Sequence, residues 1–407
     1  MKKITILFVL ALVLRILFVW VWYQSGQGHH ISLDTTDYVQ MAKHLNRGEG
    51  FRIGDTPTTR RPPAYAVLIA PFLKYNFFPL GTQILQALLG ALSCVLIYAI
   101  SVQIFDPKTG LLAATLFSLD YMSVRQTVAL LPEVVFVFFI LASFYGLFKG
   151  VKEKSLLWLF LSGIFAGLSV LSKDSLLFYF PILVFWLWLW KGGMKPGLLR
   201  GLVFVLGFIS VITPWVARNC LLYRKPVLIT VSSGHSFYLG NNPSVTGRIT
   251  GQDWALGEDT VLPEGPNLPP LFTVEADRYF MKKGLEFVQS NPQRFFYLMG
   301  RKFINMWRPY RNDSPIAAKI LITLTYIPVL TFGLWGVAMT RERWKELFPV
   351  LALLFYIVLI HAVTIASVRY RYPAMPFLTM FASYAAVHLW EKRNLLLSKE
   401  IGAELRI

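Results

Sequence analysis

Ten long apolar stretches constrain the fold of this chain more than any other feature of its sequence. They cover approximately residues 4–23, 81–104, 110–128, 133–149, 156–172, 175–190, 200–217, 315–339, 347–366 and 372–390. A helix needs roughly 17 to 25 residues to cross the ~30 Å hydrocarbon core of a bilayer. Inside a bilayer the backbone must satisfy its own hydrogen bonds, which a helix does. The sequence therefore predicts an all-α polytopic membrane protein with about ten transmembrane helices.

The composition supports a membrane protein and excludes several other classes. Hydrophobic residues make up 55% of the chain, charged residues 15%, and the mean hydropathy is +0.52. The net charge is +18, but the basic residues are scattered through short segments between apolar stretches. That distribution fits anionic headgroups better than a nucleic acid. Cys94 and Cys220 lack the spacing of a disulfide framework or a zinc site.

The short basic segments predict the orientation of the chain in the membrane. Under a ten-span count they all fall on one side, which the positive-inside rule makes cytoplasmic. They are Lys2 with Lys3, and residues 149–154, 191–200, 341–345 and 391–393. Both termini are then cytoplasmic, and residues 24–80 and 218–314 form two long outer segments. We expect the first stretch to be an uncleaved anchor whose Arg15 faces the protein interior or snorkels to the interface.

Three regions follow from this topology: 1–217, which includes the first outer loop at 24–80, then the outer segment 218–314, and finally 315–407. Gly, Pro and Asn are frequent over 233–270, which predicts irregular loop.

The second outer segment then becomes helical in pattern. Asn291 is placed to cap a helix that has Pro292 at its first position. Its aromatic and basic side chains fall on different faces, which predicts a helix near the membrane surface.

Acidic and basic residues follow the first apolar stretch. Asp34 is placed to cap a helix and Asp37 lies in its first turn, so helix stabilisation alone accounts for both. Arg60 and Arg61 precede a Pro-Pro pair and suit either lipid headgroups or the phosphate of a lipid-linked substrate.

More charged residues lie at the outer ends of other predicted spans. They are Glu133, Lys173, Asp174, Arg369 and Arg371. Ionisable groups at membrane depth indicate function, and on the predicted topology these residues share one face. Sugar transfer from a polyprenyl phosphate needs both kinds of group, because a carboxylate removes the acceptor proton and cations stabilise the departing phosphate.

The order of several short motifs resembles a known class of enzyme. They are "LD…Y…A..L..GEGF…RRPPAY", "LLPE", "LSKDS", "YLGNNPSVTG" and "RYRYPAMP". In this order the chain is similar to the bacterial GT-C glycosyltransferases of family 39 and their relatives, which are protein-mannosyltransferase and aminoarabinose-transferase-like membrane enzymes.

The resemblance implies a glycosyltransferase that uses a lipid-phosphate sugar, inverts the anomeric carbon and acts at the periplasmic face of the cytoplasmic (inner) membrane. It implies that Asp34 is the general base and that Glu133 assists it or orients the acceptor. Lys173 matches a lysine near the donor phosphate, and Arg369 or Arg371 matches the terminal basic motif.

Other positions qualify the resemblance. Thr35 stands where protein mannosyltransferases have the second acid of an Asp-Glu pair, which favours a glycolipid or polysaccharide acceptor over a protein. We assign Asp37, His235, Asn241 and Asn242 to loop support or acceptor contacts.

No metal or other cofactor is required, although Asp34, Glu133 and Asp174 are possible oxygen ligands of a divalent cation. His29 and His30 are not expected to bind a metal, because adjacent histidines point in different directions.

Two alternatives remain open at this point. The first is a transporter or flippase of lipid-linked sugars, which would place polar groups near the bilayer midplane. The second is a structural subunit of an envelope complex, which hydrophobicity alone does not distinguish.

Overall fold

The computed structural model describes residues 2–26, 32–190, 194–247, 268–312 and 314–404. In these ranges the chain is almost entirely helical. The helices of the first half are α1 Lys2–Gln24, α2 Leu33–Asn46, α3 Pro63–Lys74, α4 Leu80–Ile104, α5 Pro107–Leu119, α6 Tyr121–Gln126, α7 Glu133–Lys152 and α8 Leu156–Ser172. Those of the second half are α9 Phe180–Leu189, α10 Met194–Tyr223, α11 Ser233–Gly240, α12 Val274–Ser290, α13 Pro292–Trp307, α14 Ile316–Met339, α15 Trp344–Val363 and α16 Met375–Glu404.

A few short elements connect these helices. β1 Arg52–Ile53 and β2 Thr56–Pro57 form a small antiparallel ribbon between α2 and α3. Three 3-10 turns lie at Asp174–Leu176, Arg341–Arg343 and Val368–Ala374. The all-helical fold class predicted from the apolar stretches is confirmed.

The apolar stretches become helices, but not always as single rods. The stretch at 110–128 is divided into α5 and α6 by Asp120, whose carboxylate accepts a hydrogen bond from Ser123 N at 2.7 Å. In the described ranges, six segments are long and apolar enough to cross a membrane: α1, α4, α7, α10, α14 and Arg341–Val363. The count of about ten spans stays a prediction.

Glycines let several of these helices approach closely. A Cβ atom at Gly163 would lie 2.0 Å from Phe204 O, and one at Gly207 would lie 2.1 Å from Phe160 O. The backbones of α8 and α10 are therefore almost in contact. Such small-residue interfaces maximise van der Waals packing between helices that lack a hydrophobic driving force in lipid.

Arg15 lies in the middle of α1 and is fully buried. Its guanidinium donates to Ala11 O at 3.1 Å and to Ser123 Oγ at 2.9 Å, which connects α1 to α6. The expectation that Arg15 faces the protein interior is confirmed.

The start of α2 differs from the predicted one. Ser32 caps the helix, because its Oγ accepts a hydrogen bond from Thr35 N at 3.2 Å. Asp34 lies inside the first turn and is not the cap, so its carboxylate is available to other side chains. One turn further along α2, the ring of Tyr38 packs edge-on against that of Tyr65 at 5.1 Å and holds α2 on α3.

The second outer segment is more helical than predicted. Residues 233–240, expected to be irregular, form α11, while residues 248–267 lie outside the described ranges. α13 begins at Pro292 as predicted, but the Asn291 side chain donates backwards to Phe287 O at 3.2 Å and does not cap α13. The position of α13 relative to a membrane stays a prediction.

Candidate active site

Charged side chains from distant parts of the sequence surround one cavity of about 540 Å³. They come from α2, the segment before α3, the N-terminus of α7, the segment after α8, α12 and the 3-10 turn before α16. The charged lining residues are Asp34, Arg60, Arg61, Glu133, Lys173, Asp174, Asp277, Arg278 and Arg369. The structure thus brings most of the candidate charged residues to one cavity, whereas Asp37 and Arg371 do not line it.

Asp34 lies between two arginines. Arg61 donates to its Oδ1 at 2.5 Å and Arg369 donates to its Oδ2 at 2.7 Å. Burial by itself raises the pKa of Asp34, but the charges and hydrogen bonds of the two guanidinium groups outweigh it and lower the pKa to about 2. The carboxylate is therefore ionised at every physiological pH.

Asp37 supports these arginines from below the cavity. It is 5% exposed, accepts a hydrogen bond from Arg61 Nε at 2.9 Å, and lies 3.2 Å from Arg60 Nε. The Arg60 guanidinium also stacks over the Phe272 ring at 3.7 Å. Asp37 is not part of the cavity lining, which fits a supporting role.

A second ion pair lies in the same cavity. Glu133 begins α7 directly after Pro132 and is 3% exposed. Its Oε1 accepts a hydrogen bond from Lys173 Nζ at 3.1 Å, and the ammonium also lies over the Tyr370 ring at 4.6 Å. Within the described part of the chain, Glu133 Oε2 accepts no hydrogen bond.

Arg369 and Arg371 belong to the same 3-10 turn but point to different places. Arg369 reaches Asp34, whereas Arg371 is 1% exposed and donates to Met306 O at 3.0 Å, Pro309 O at 2.7 Å and Arg308 O. The expected role of Arg371 at a donor phosphate is therefore corrected. Its terminal nitrogens bind backbone carbonyls at the end of α13, outside the cavity lining.

Two side chains of α13 contact the segment that leads into the 3-10 turn of Arg369 and Arg371. Lys302 donates to Asn241 Oδ1 at 2.9 Å and to Val363 O at 3.3 Å, and Asn305 donates to Ala366 O at 2.9 Å. We call these contacts of Lys302 and Asn305, together with those of Arg371, the α13 anchor. The anchor fixes the segment that carries Arg369.

Asn241 and Asn242 are buried and serve the backbone. Asn241 Nδ2 donates to Phe237 O and to Val363 O, both at 2.8 Å, and Asn242 Nδ2 donates to Tyr238 O at 2.9 Å. Neither residue lines the cavity, and both side-chain amides bind the backbone instead.

His235 also lies outside the cavity lining. Its ring packs against Phe272 at 5.4 Å and Phe280 at 5.5 Å. Burial, together with the nearby charges of Arg60 and Arg61, lowers the pKa of His235 to about 4, so the ring is neutral at physiological pH.

Asp277 and Arg278, which the sequence does not single out, reach the cavity from the first turns of α12. Asp277 accepts a hydrogen bond from Gly234 N at 2.7 Å, and burial raises its pKa. Nothing in the sequence marks these residues except an acidic first turn in an outer helix. Asp174 lines the same cavity and accepts a hydrogen bond from the Thr230 hydroxyl.

The acids do not form a metal cluster in the residues that the structure covers. No group of three or more His, Cys, Asp or Glu side chains there is arranged to hold a metal ion. Asp34 is bound by arginines, Glu133 by Lys173 and Asp174 by Thr230. His29 and His30 lie outside the described residues.

Comparison with known proteins identifies the class of fold. Residues 60–215 match the family described as dolichyl-phosphate-mannose-protein mannosyltransferase. An uncharacterised protein of Aquifex aeolicus (strain VF5) is 26% identical over 186 residues, which is 44% of this chain and 36% of that protein.

Solved structures of the oligosaccharyltransferase of Archaeoglobus fulgidus share the architecture. The apo form aligns with a TM-score of 0.60 and 13% identity, over 99% of this chain and 52% of that one. The complex with an inhibitory peptide and a dolichol-phosphate aligns with a TM-score of 0.59 and 13% identity, over 98% of this chain and 51% of that one. The complex with Zn and sulfate aligns with a TM-score of 0.54 and 14% identity, over 99% of this chain and 51% of that one.

The chain thus has the fold of the GT-C membrane glycosyltransferases, and the resemblance noted in its sequence is confirmed. It spans about half the length of the solved relatives and about a third of the Aquifex protein.

Proposed function

We propose that this protein transfers a sugar from a polyprenyl-phosphate donor to a glycolipid, polysaccharide or protein acceptor at the outer face of the cytoplasmic membrane. The observation that carries the proposal is the cavity in which the Asp34 carboxylate lies between Arg61 and Arg369. Two comparisons support it. One is the match of residues 60–215 to a family of lipid-phosphate mannosyltransferases, and the other is the relative solved with a dolichol-phosphate.

In the proposed reaction, Arg61, Arg369 and Lys173 bind the donor phosphate. Asp34 takes the proton of the acceptor hydroxyl while that oxygen attacks the anomeric carbon from the face opposite the phosphate. The bond between the anomeric carbon and the phosphate oxygen breaks, and the phosphate leaves with the electron pair. The cations stabilise its charge, and the configuration at the anomeric carbon inverts.

Glu133 has a supporting role in this proposal. Its contact with Lys173 holds the ammonium in the cavity, and its second oxygen faces no other donor among the described residues. A hydroxyl of the acceptor or the sugar can donate to that oxygen, because a buried acceptor left unsatisfied is unfavourable. In this proposal the named side chains remove the proton and bind the phosphate. Adding a chelator to the transfer assay tests whether the reaction also depends on a metal ion.

The environment of Thr35 supports an acceptor other than a protein. Thr35 is 1% exposed and donates to Leu130 O at 3.0 Å. In this chain the position is therefore used for packing between α2 and the segment before α7, and a second acid would lose that bond. We infer that a glycolipid or polysaccharide is the preferred acceptor.

Reconstitution tests the function directly. The purified chain in liposomes receives a panel of polyprenyl-phosphate sugars and candidate acceptors, and mass spectrometry follows both products. We expect the acceptor to gain one sugar mass while free polyprenyl phosphate accumulates. Movement of intact lipid-linked sugar across the bilayer, without a covalent product, would instead identify a flippase.

A further inference from the structure

The cations deep in the cavity are already paired with carboxylates. Arg61 and Arg369 both bind Asp34, and Lys173 binds Glu133. An incoming phosphate carries negative charge and needs the same donors. It can bind them only by displacing a carboxylate or by sharing its cations.

The exposure of each carboxylate decides which one gives way. The side chain of Glu133 is 3% exposed and that of Asp37 is 7% exposed, whereas that of Asp34 is 28% exposed. Removing the cation from a buried carboxylate leaves an uncompensated charge and is strongly destabilising. Asp34 can turn to water or to a second substrate, so its pairs are the least costly to exchange.

Each of the two arginines also has a contact other than the one to Asp34. Arg61 donates to Asp34 through a terminal nitrogen, while its Nε donates to Asp37 at 2.9 Å. Arg369 also donates to Asp34 through a terminal nitrogen, and its guanidinium lies 5.4 Å from the centre of the Tyr370 ring. The terminal nitrogens, which suit phosphate oxygens, are thus the ones that Asp34 occupies.

We propose that the donor phosphate displaces Asp34 from Arg61 and Arg369, so that Asp34 becomes a competent base only after the donor has bound. This inference rests on the proposed function and adds an order to it, in which donor binding precedes acceptor activation. The paired carboxylate is the resting state of the site. The phosphate that later leaves is the group that releases the base.

The titration of Asp34 agrees with this geometry. While both arginines bind it, the pKa of Asp34 is lowered to about 2, which makes the carboxylate a weak base at neutral pH. When the phosphate neutralises the two guanidinium groups, burial is the remaining influence and raises the pKa. Base strength therefore increases at the step that needs it.

Equilibrium binding of a polyprenyl monophosphate to the full chain in nanodiscs tests the competition, with the uncharged polyprenol as the reference lipid. We expect Asp34→Asn to bind the phosphate roughly 3- to 10-fold more tightly than the wild type, because the arginines no longer have to leave a carboxylate. If the Asn variant does not fold, Asp34→Ser replaces it, and we expect the same tightening of phosphate binding.

Asp174→Asn is the matched control. It removes the same charge from the same cavity, but Asp174 is bound by the Thr230 hydroxyl and by neither arginine in the described structure. We expect its phosphate affinity to change less than about 2-fold, since Asp174 occupies none of the arginine nitrogens that the phosphate would bind. Equal tightening in both variants would indicate general charge repulsion and overturn the competition.

A double variant locates the effect. In an Arg369→Gln background, the gain from Asp34→Asn should shrink, because one of the two contested donors is gone. An unchanged gain, or weaker phosphate binding by Asp34→Asn alone, would contradict the inference while leaving the transferase function intact. A wild type that does not prefer the phosphate to polyprenol would overturn the proposed function, and the inference with it.

Discussion

The cavity and the α13 anchor both bury basic side chains, but they give them different partners. In the cavity, Arg61, Arg369 and Lys173 face carboxylates. In the anchor, Arg371 and Lys302 donate to backbone carbonyls and an amide oxygen. A cation paired with a partly exposed acid such as Asp34 can exchange it for an anionic ligand, whereas a cation bound to buried carbonyls cannot leave them without loss. We therefore expect the first region to serve the proposed chemistry and the second to serve stability.

The largest effect should come from Asp34→Asn. The variant cannot remove the acceptor proton, so the transfer rate should fall about 10²- to 10⁴-fold. Sugar transfer measured by mass spectrometry checks it. Transfer at the wild-type rate would show that the base is another residue.

Arg371→Met should give the largest loss of stability. Three carbonyls at the end of α13 would lose their charged donor inside the protein, which we expect to cost on the order of 3 kcal/mol. Thermal unfolding in detergent measures it. The donor KM of the folded fraction should stay near that of the wild type. A raised KM would indicate that Arg371 does bind the donor phosphate.

Arg369→Gln is the counterpart of that variant, two residues away in the same turn. We expect the donor KM to rise about 10-fold, because one charge-assisted contact to the phosphate is lost, with little change in unfolding temperature. Initial rates at varied donor concentration decide it. Loss of stability without a change in KM would reverse the roles that we assign to the two arginines.

The most gradual effect is the pH dependence of stability, which is spread over several pH units. Lys302 is fully buried, and burial lowers its pKa to about 7. Between pH 7 and its ordinary value of about 10.4, the unfolded chain binds the proton and the folded chain does not, so stability rises with pH. The slope from this one group is at most about 1.4 kcal/mol per pH unit.

Lys302→Met removes this contribution. The difference in unfolding temperature between wild type and variant should therefore change across pH 7 to 10. Parallel curves for the two proteins would mean that Lys302 keeps its ordinary pKa in the folded state.

Much of the fold was predictable from local sequence. The apolar stretches become helices because a helix satisfies its own backbone in any apolar surrounding. The start of α13 at Pro292 was also predictable from local sequence. Proline has no amide hydrogen, and the amides of a first helical turn have no partner within the helix, so nothing is lost there. The predicted N-cap of α2 was wrong by two residues, because Ser32 and not Asp34 caps the helix.

The candidate site was predictable only in part. Asp34, Glu133 and Lys173 carry the signal of a charge at the end of an apolar stretch, and they do line the cavity. Asp277 carries no such signal, because its helix is amphipathic and more than 200 residues from Asp34 in the chain. Only the packing of α12 over α11 brings it there.

The sequence by itself determined the helices, the fold class and the set of charged residues available at the helix ends, because these depend on hydropathy and local backbone chemistry. The tertiary structure decided which of those charges meet. Arg369 and Arg371 have the same chemistry and are two residues apart in one turn, but a 3-10 turn advances about 120° per residue and sends them in different directions. One reaches Asp34 and the other reaches the end of α13, since contacts between distant segments depend on packing and not on spacing.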